Sequence, residues 1–174
     1  MILTGDYIFK ELLKGNISIY PFKRSQINPN SYNYRLGKTI KVFDKFVNGK
    51  SVFKKVVIPE SGYLLEPGKM YLGNTYEFIG SKKYAMSLIG RSSMGRLGLF
   101  LQVSANLGHT TSYHKWTLEL VALKPIKIYP KMIIGQISFW TNFGRIYKYG
   151  GRYAKINKPQ ESFININIHD FNRV

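Results

Sequence analysis

Short runs of Val, Ile, Tyr and Phe recur along most of the chain, each cut off by Gly, Pro, Asn or Ser within about ten residues. That rhythm leaves little room for long helices or for the strand–helix alternation of a parallel sheet. Strand-like runs cover 39–46, 52–58, 69–77, 84–89, 99–104, 116–123, 126–129 and 133–141. Turn signals punctuate them at Asn48-Gly49, Glu66-Pro67-Gly68 and Tyr129-Pro130. Many short strands at this spacing predict an all-β sandwich or barrel-like fold.

One helix is expected, over 4–14. Thr4 caps it, Asp6 sits in the first turn where the dipole favours a negative charge, and Gly15 ends it. Ile8, Leu12 and Leu13 form an apolar stripe that would dock the helix on a sheet. No internal repeat or low-complexity linker divides the 174 residues, so one domain over 1–174 is expected. Within it, 144–174 stands apart as a tail. Gly144-Arg145-Ile146-Tyr147-Lys148-Tyr149-Gly150-Gly151-Arg152-Tyr153 is glycine-rich, basic and aromatic, and reads as a mobile tail or lid. The stretch 163–168 alternates Phe and Ile with Asn and predicts a final edge strand.

Composition narrows the chemistry. The chain has no Cys, which excludes disulfides, thiolate metal sites and cysteine nucleophiles. No apolar run approaches the ~20 residues needed to span a bilayer. The first six residues lack the basic-then-apolar order of a signal peptide, so a soluble, cytoplasmic protein is expected. The net charge is +17, from 26 Lys and Arg against 9 Asp and Glu. It fits an anionic ligand, and it fits a biased, lysine-rich composition equally well. The charge is spread without a block of five, and the aromatic residues follow strand periodicity rather than a stacking platform. Neither nucleic acid nor membrane is an expected partner.

Two segments carry chemistry. In Gly90-Arg91-Ser92-Ser93-Met94-Gly95-Arg96-Leu97-Gly98, two Arg five apart enclose two hydroxyls and a glycine. Guanidinium forks, hydroxyl donors and exposed backbone amides suit phosphate oxygens, and the same residues also fit a solvated turn. In Trp116-Thr117-Leu118-Glu119-Leu120-Val121, alternation puts Thr117 and Glu119 on one face, opposite Leu118 and Leu120. Partial desolvation of Glu119 would raise its pKa toward that of a general acid/base. An Arg-paired structural carboxylate is the other reading of Glu119. Glu60, Glu66 and Glu161 read as loop residues.

These segments together resemble the dCTP deaminase branch of the trimeric dUTPase-like superfamily. The likeness rests on Arg91 to Gly98 followed by Thr117-Leu118-Glu119-Leu120, and extends to 64–75, 125–137 and Tyr32-Asn33-Tyr34-Arg35-Leu36-Gly37. Tyr147 and Gly151-Arg152-Tyr153 resemble the family's nucleotide-covering arm. The resemblance implies a β-rich, distorted jelly-roll (dUTPase-like β-clip) subunit. It further implies a homotrimer with active sites shared between subunits, and dCTP or dUTP bound with Mg²⁺. Carried over by position, Arg91, Ser92, Ser93, Met94, Gly95, Arg96, Ala105, His109, Thr117, Leu118, Glu119, Tyr147 and Arg152 contact substrate. Among them Glu119, Ser92 and Arg96 are catalytic, with no protein-held metal.

The implied reaction is dCTP plus water to dUTP plus ammonia. A cysteine-free chain cannot build the His/Cys zinc site of other deaminases, and a glutamate can take the water's proton instead. Four positions depart from the family pattern. His109 stands where Asp is usual, Asn33 replaces an Asp, Gln102 a His and Ile156 a Gln. In the dUTPase branch the Asp at the His109 position orients water and contacts the sugar. Its loss argues against dUTP diphosphatase activity; the alternatives are a weak or inactive nucleotide-binding or regulatory homologue, and, third, a dUTP diphosphatase or a bifunctional enzyme.

Overall fold

Thr4 opens the first element as expected. Its side chain accepts from the Tyr7 N–H at 3.4 Å and starts helix α1 (Gly5–Leu13). Asp6 pairs with Lys10 one turn on, at 2.7 Å, and Gly15 leaves the helix with φ +74°. Ile8 is fully buried, but Leu13 faces solvent. The inward position is instead taken by Glu11, whose carboxylate is satisfied by Lys14 at 2.9 Å, Asn16 at 2.8 Å and Tyr84 at 2.7 Å. The structure, a computed structural model, describes residues 1–102 and 104–163.

Fifteen strands follow among the described residues. The first eight are β1 (Ile17–Tyr20), β2 (Ile27–Asn28), β3 (Ser31–Arg35), β4 (Thr39–Val47), β5 (Lys50–Val57), β6 (Tyr63–Leu65), β7 (Met70–Asn74) and β8 (Phe78–Ser81). The rest are β9 (Tyr84–Gly90), β10 (Leu99–Leu101), β11 (Leu107–Gly108), β12 (Tyr113–His114), β13 (Thr117–Ala122), β14 (Ile126–Ile128) and β15 (Ile133–Thr141). All the pairings are antiparallel. Two five-stranded sheets, β10-β13-β7-β4-β5 and β11-β9-β15-β3-β2, carry most of the fold, with β1-β8-β12 and β14-β6 beside them. The fold class is thus all-β with a short N-terminal helix, as the sequence predicts.

Side chains from both large sheets meet in one core. Ile40, Leu118 and Leu120 come from the first, and Tyr34, Met86, Ile137 and Phe139 from the second. Burying an aliphatic or aromatic side chain contributes about 1.5–3 kcal/mol, so this shared core fixes which face of each strand is left for solvent. Gly135 of β15 shows how tightly it packs: a Cβ there would lie 2.2 Å from the ring of Tyr34, whose hydroxyl donates to the Ile89 carbonyl at 3.1 Å. The Asn48-Gly49 turn joins β4 to β5 with both residues at positive φ, 49° and 75°, the conformation a two-residue hairpin requires.

Several short strands go beyond the sequence reading. β1, β2, β3, β6, β8, β11 and β12 lie outside the strand-like runs of the sequence, because stretches of two to five residues carry too little periodicity to stand out. The stretch read as a phosphate-binding turn contains helix α2 (Ser92–Arg96). Most of the expected edge strand over 163–168 lies outside the described residues. No described helix is long and apolar enough to cross a membrane.

Candidate active site

Strand β13 alternates as the sequence predicts: Leu118, Leu120 and Ala122 are buried, while Thr117 and Glu119 are half-buried on the other face. Its register sets what stands beside the carboxylate. Glu119 is opposite Leu72 of β7, and Leu72 is opposite Lys41 of β4. Directly opposed antiparallel residues share a face, so Glu119, Leu72 and Lys41 form one cross-strand row.

Glu119 is loosely held at its carboxylate and firmly at its backbone. Its N–H donates to Gln102 Oε1 at 2.8 Å, and Gln102 Nε2 donates to the Ala105 carbonyl at 3.1 Å. Gln102 takes up a left-handed φ of 51°, so this residue bends the chain after β10 and clamps it to β13. Among the described residues the carboxylate itself receives one long contact, from Ser104 Oγ at 3.4 Å. No ion pair to Glu119 exists among the described residues. Among the described residues the Arg-paired carboxylate is Glu77, which receives Arg35 Nε at 2.6 Å and the Arg35 N–H at 2.9 Å.

Glu119 lines a cavity of about 960 Å³. Of the residues expected to contact substrate, Ala105, His109, Thr117 and Glu119 line it. Leu118 does not: it is fully buried on the core face. Arg91, Ser92, Ser93, Met94, Gly95 and Arg96 do not line it either. Ser92, Ser93 and Arg96 are exposed on α2, and Met94 packs against the core. One chain by itself therefore does not bring the Arg/Ser segment to Glu119.

The tail folds back onto the same chain. Tyr149, Tyr153, Ile156, Gln160 and Glu161 line the Glu119 cavity, while Tyr147 and Arg152, the two tail residues expected there, do not. Tyr147 instead borders a separate hollow of about 300 Å³ together with His109 and Arg145. The Tyr149 N–H donates to Thr111 Oγ1 at 2.8 Å, and the Tyr149 ring stacks on His109 with centroids 4.7 Å apart. Tyr149, two residues beyond Tyr147, is thus the tail tyrosine that is anchored on His109 and faces the cavity.

His114 is a site residue that sequence reasoning missed. It lines the cavity, its ring lies 4.1 Å from that of Trp116, and burial pushes its pKa down. Its Nδ1 lies 3.0 Å from the Lys115 carbonyl, which can only accept, so Nδ1 carries the proton and Nε2 is left as an acceptor. Gln102 and Ser104, the two side chains bonded to Glu119, were also missed as site residues. Gln102 had a signal, as a departure from the family pattern; Ser104 had none. Asn33 makes a reciprocal amide pair with Asn28 at 2.9 and 3.2 Å and sits away from the cavity lining.

Comparison with known proteins gives a consistent result. A family model described as "dCTP deaminase-like" matches residues 2–142. A protein of Hathewaya histolytica named "dCTP deaminase, dUMP-forming" is 43% identical over 168 residues, covering 94% of this chain and 97% of the relative. Proteins of the same name from Clostridium beijerinckii and Cytophaga hutchinsonii are each 44% identical, covering 94% of this chain and 96% of the relative. The crystal structure of 2'-deoxycytidine 5'-triphosphate deaminase from Agrobacterium tumefaciens superposes with a TM-score of 0.65 at 21% identity. That match covers 81% of this chain and 48% of the other, and bears on the fold alone.

Proposed function

Because the chain belongs to the dCTP deaminase-like family, we propose that it deaminates dCTP by hydrolysis and that its product is dUMP. The observation that carries the reading is Glu119: a half-buried carboxylate without an ion-pair partner among the described residues, in a cavity large enough for a nucleotide. The dUMP product follows the names of the relatives and replaces the dUTP expected from the sequence.

In this reading water adds to C4 of the cytosine while Glu119 takes its proton and passes it to N3. The tetrahedral centre then collapses, the amino group leaves as ammonia with a second proton, and a uracil carbonyl remains. Attack of a second water on the α-phosphorus releases pyrophosphate and leaves dUMP. Ser92 and Arg96 would act from α2 of a neighbouring subunit. Phe100, Val121 and Met70 support such an assembly: they form an exposed apolar row beside Glu119 on the same sheet face. Light scattering should then report a homotrimer, and a fully active monomer would remove the shared site.

The described residues include no group of three His, Asp or Glu that could hold a metal ion, so they do not fit a protein-held metal centre. Mg²⁺ in this proposal arrives with the triphosphate, whose oxygens suit it. Incubation with dCTP and Mg²⁺, with ammonia, dUTP, dUMP and pyrophosphate assayed separately, tests the reading. Ammonia and dUMP in equal amounts are expected, and absence of ammonia would overturn it.

A second reading, release of dUTP, is favoured by His109. Its ring is stacked on Tyr149 and provides no carboxylate to orient the second water. If this reading holds, the wild-type chain releases dUTP, and His109→Asp shifts the product toward dUMP with ammonia release retained. Unchanged product ratios in His109→Asp would remove His109 from the choice.

A further inference from the structure

The described part of the tail, 144–163, carries five cations and a single acid: Arg145, Lys148, Arg152, Lys155 and Lys158 against Glu161. The acid is the charged group that enters the Glu119 cavity. From the cavity wall it forms an ion pair with Lys41, which does not itself line the cavity and stands at the far end of the cross-strand row from Glu119. Two strand spacings separate the Lys41 and Glu119 backbones, roughly 10 Å. That is the scale on which a nucleotide separates its base from its phosphates.

We propose that Lys41 is an anion-contacting residue of the Glu119 cavity and that Glu161 is its resident counter-anion, displaced when a phosphate-bearing ligand enters. The proposal deepens the dCTP deaminase reading and rests on it for the identity of the ligand.

Three observations support the exchange. First, Glu161 is the exposed partner: its side chain is 36% exposed and lines the cavity, while that of Lys41 is 16% exposed and lies behind it. Second, the bonds that tie the tail to the sheet near Glu161 are made at exposed or half-buried polar groups: the Gln160 N–H donates to Thr117 Oγ1 at 3.3 Å and Asn157 accepts from the Lys115 N–H at 3.0 Å. Solvent-accessible bonds of this kind open more readily than core ones. Third, Lys50 and Lys115 line the cavity, so displacement of Glu161 removes an acid from a wall that keeps two lysines and adds the freed Lys41 beside them. A carboxylate and a phosphate oxygen make the same kind of charge-assisted bond to an ammonium group, so one substitutes for the other without rebuilding the site.

The test uses the full chain and three variants, Glu161→Gln, Lys41→Gln and the double variant, with thermal unfolding as a folding control. Inorganic pyrophosphate binding is followed by titration calorimetry, alongside KM and kcat for dCTP. Glu161→Gln should tighten pyrophosphate binding and lower KM by about 2- to 5-fold, the range expected for losing a solvent-accessible competing ion pair. Lys41→Gln should weaken binding by about 10-fold or more and raise KM more than it lowers kcat, with Lys41→Arg restoring most of the loss. In the Lys41→Gln background, Glu161→Gln should have no further effect. Unchanged binding in both single variants, or weaker binding in Glu161→Gln, overturns the proposal. Pyrophosphate binding that follows the expected order in a chain that releases no ammonia from dCTP supports the exchange and removes the deaminase reading instead. Normal deamination with unresponsive binding does the reverse.

Discussion

Glu77 and Glu119 stand in contrasting surroundings. Glu77 is fully buried, paired with Arg35 at 2.6 Å and bonded to the Arg35 N–H at 2.9 Å, with the Tyr76 ring 4.8 Å from the guanidinium carbon. Glu119 is half-buried, has one 3.4 Å contact, and opens onto a cavity of about 960 Å³. The difference teaches what separates a structural acid from a reactive one. A carboxylate whose lone pairs are already engaged by a buried cation is fixed in place and turned away from a ligand. Glu119 is held by its backbone, and among the described residues its oxygens receive only the long Ser104 contact.

The contrast can be broken first at Glu77. Glu77→Ala should destabilise the chain by about 3–5 kcal/mol, because Arg35 would stay buried without its partner. Chemical denaturation measures this, and a loss below about 1 kcal/mol would place Glu77 among exposed, weakly coupled carboxylates.

Glu11 sharpens the comparison through pH. The hydrogen bond from Lys14, then that from Tyr84, holds its pKa down at about 2, against an ordinary value of 4.5. A carboxylate depressed on folding adds stability that is fully present above its unfolded pKa. The contribution is lost as pH falls from about 4.5 toward about 2. Glu11→Gln should therefore flatten the stability profile in that window, and an acid limb identical to wild type would contradict the assignment.

The smallest effect is expected at Glu119. Glu119→Gln should change stability by no more than about 0.5 kcal/mol, because the amide keeps the shape and no ion pair is lost. A larger loss would move Glu119 toward the structural class that Glu77 represents.

These differences were unevenly legible in the sequence. Strand alternation placed Thr117 and Glu119 on the open face and Leu118 and Leu120 in the core, because a period of two is local information. The cap at Thr4 and the Asn48-Gly49 turn were legible for the same reason. The Arg35–Glu77 pair was not, since 42 residues separate its members and nothing local joins them. Leu13 and Glu11 exchanged places because the partners that make a buried Glu11 tolerable, Asn16 and Tyr84 among them, lie outside the helix. The Lys41–Glu161 pair spans 120 residues, and Gln102 in a left-handed conformation gives no sequence signal. The Arg91–Arg96 segment was legible as chemistry, while its distance from the Glu119 cavity within one chain was a matter of tertiary structure.

The most direct measurement of the central claim is ammonia release from dCTP by the wild-type chain and by Glu119→Gln, at equal concentration and with Mg²⁺ present. The account predicts steady release by the wild type and a loss of at least ~100-fold in the variant, as expected when a general acid/base is removed from an otherwise intact site. Comparable release by the two proteins would contradict it.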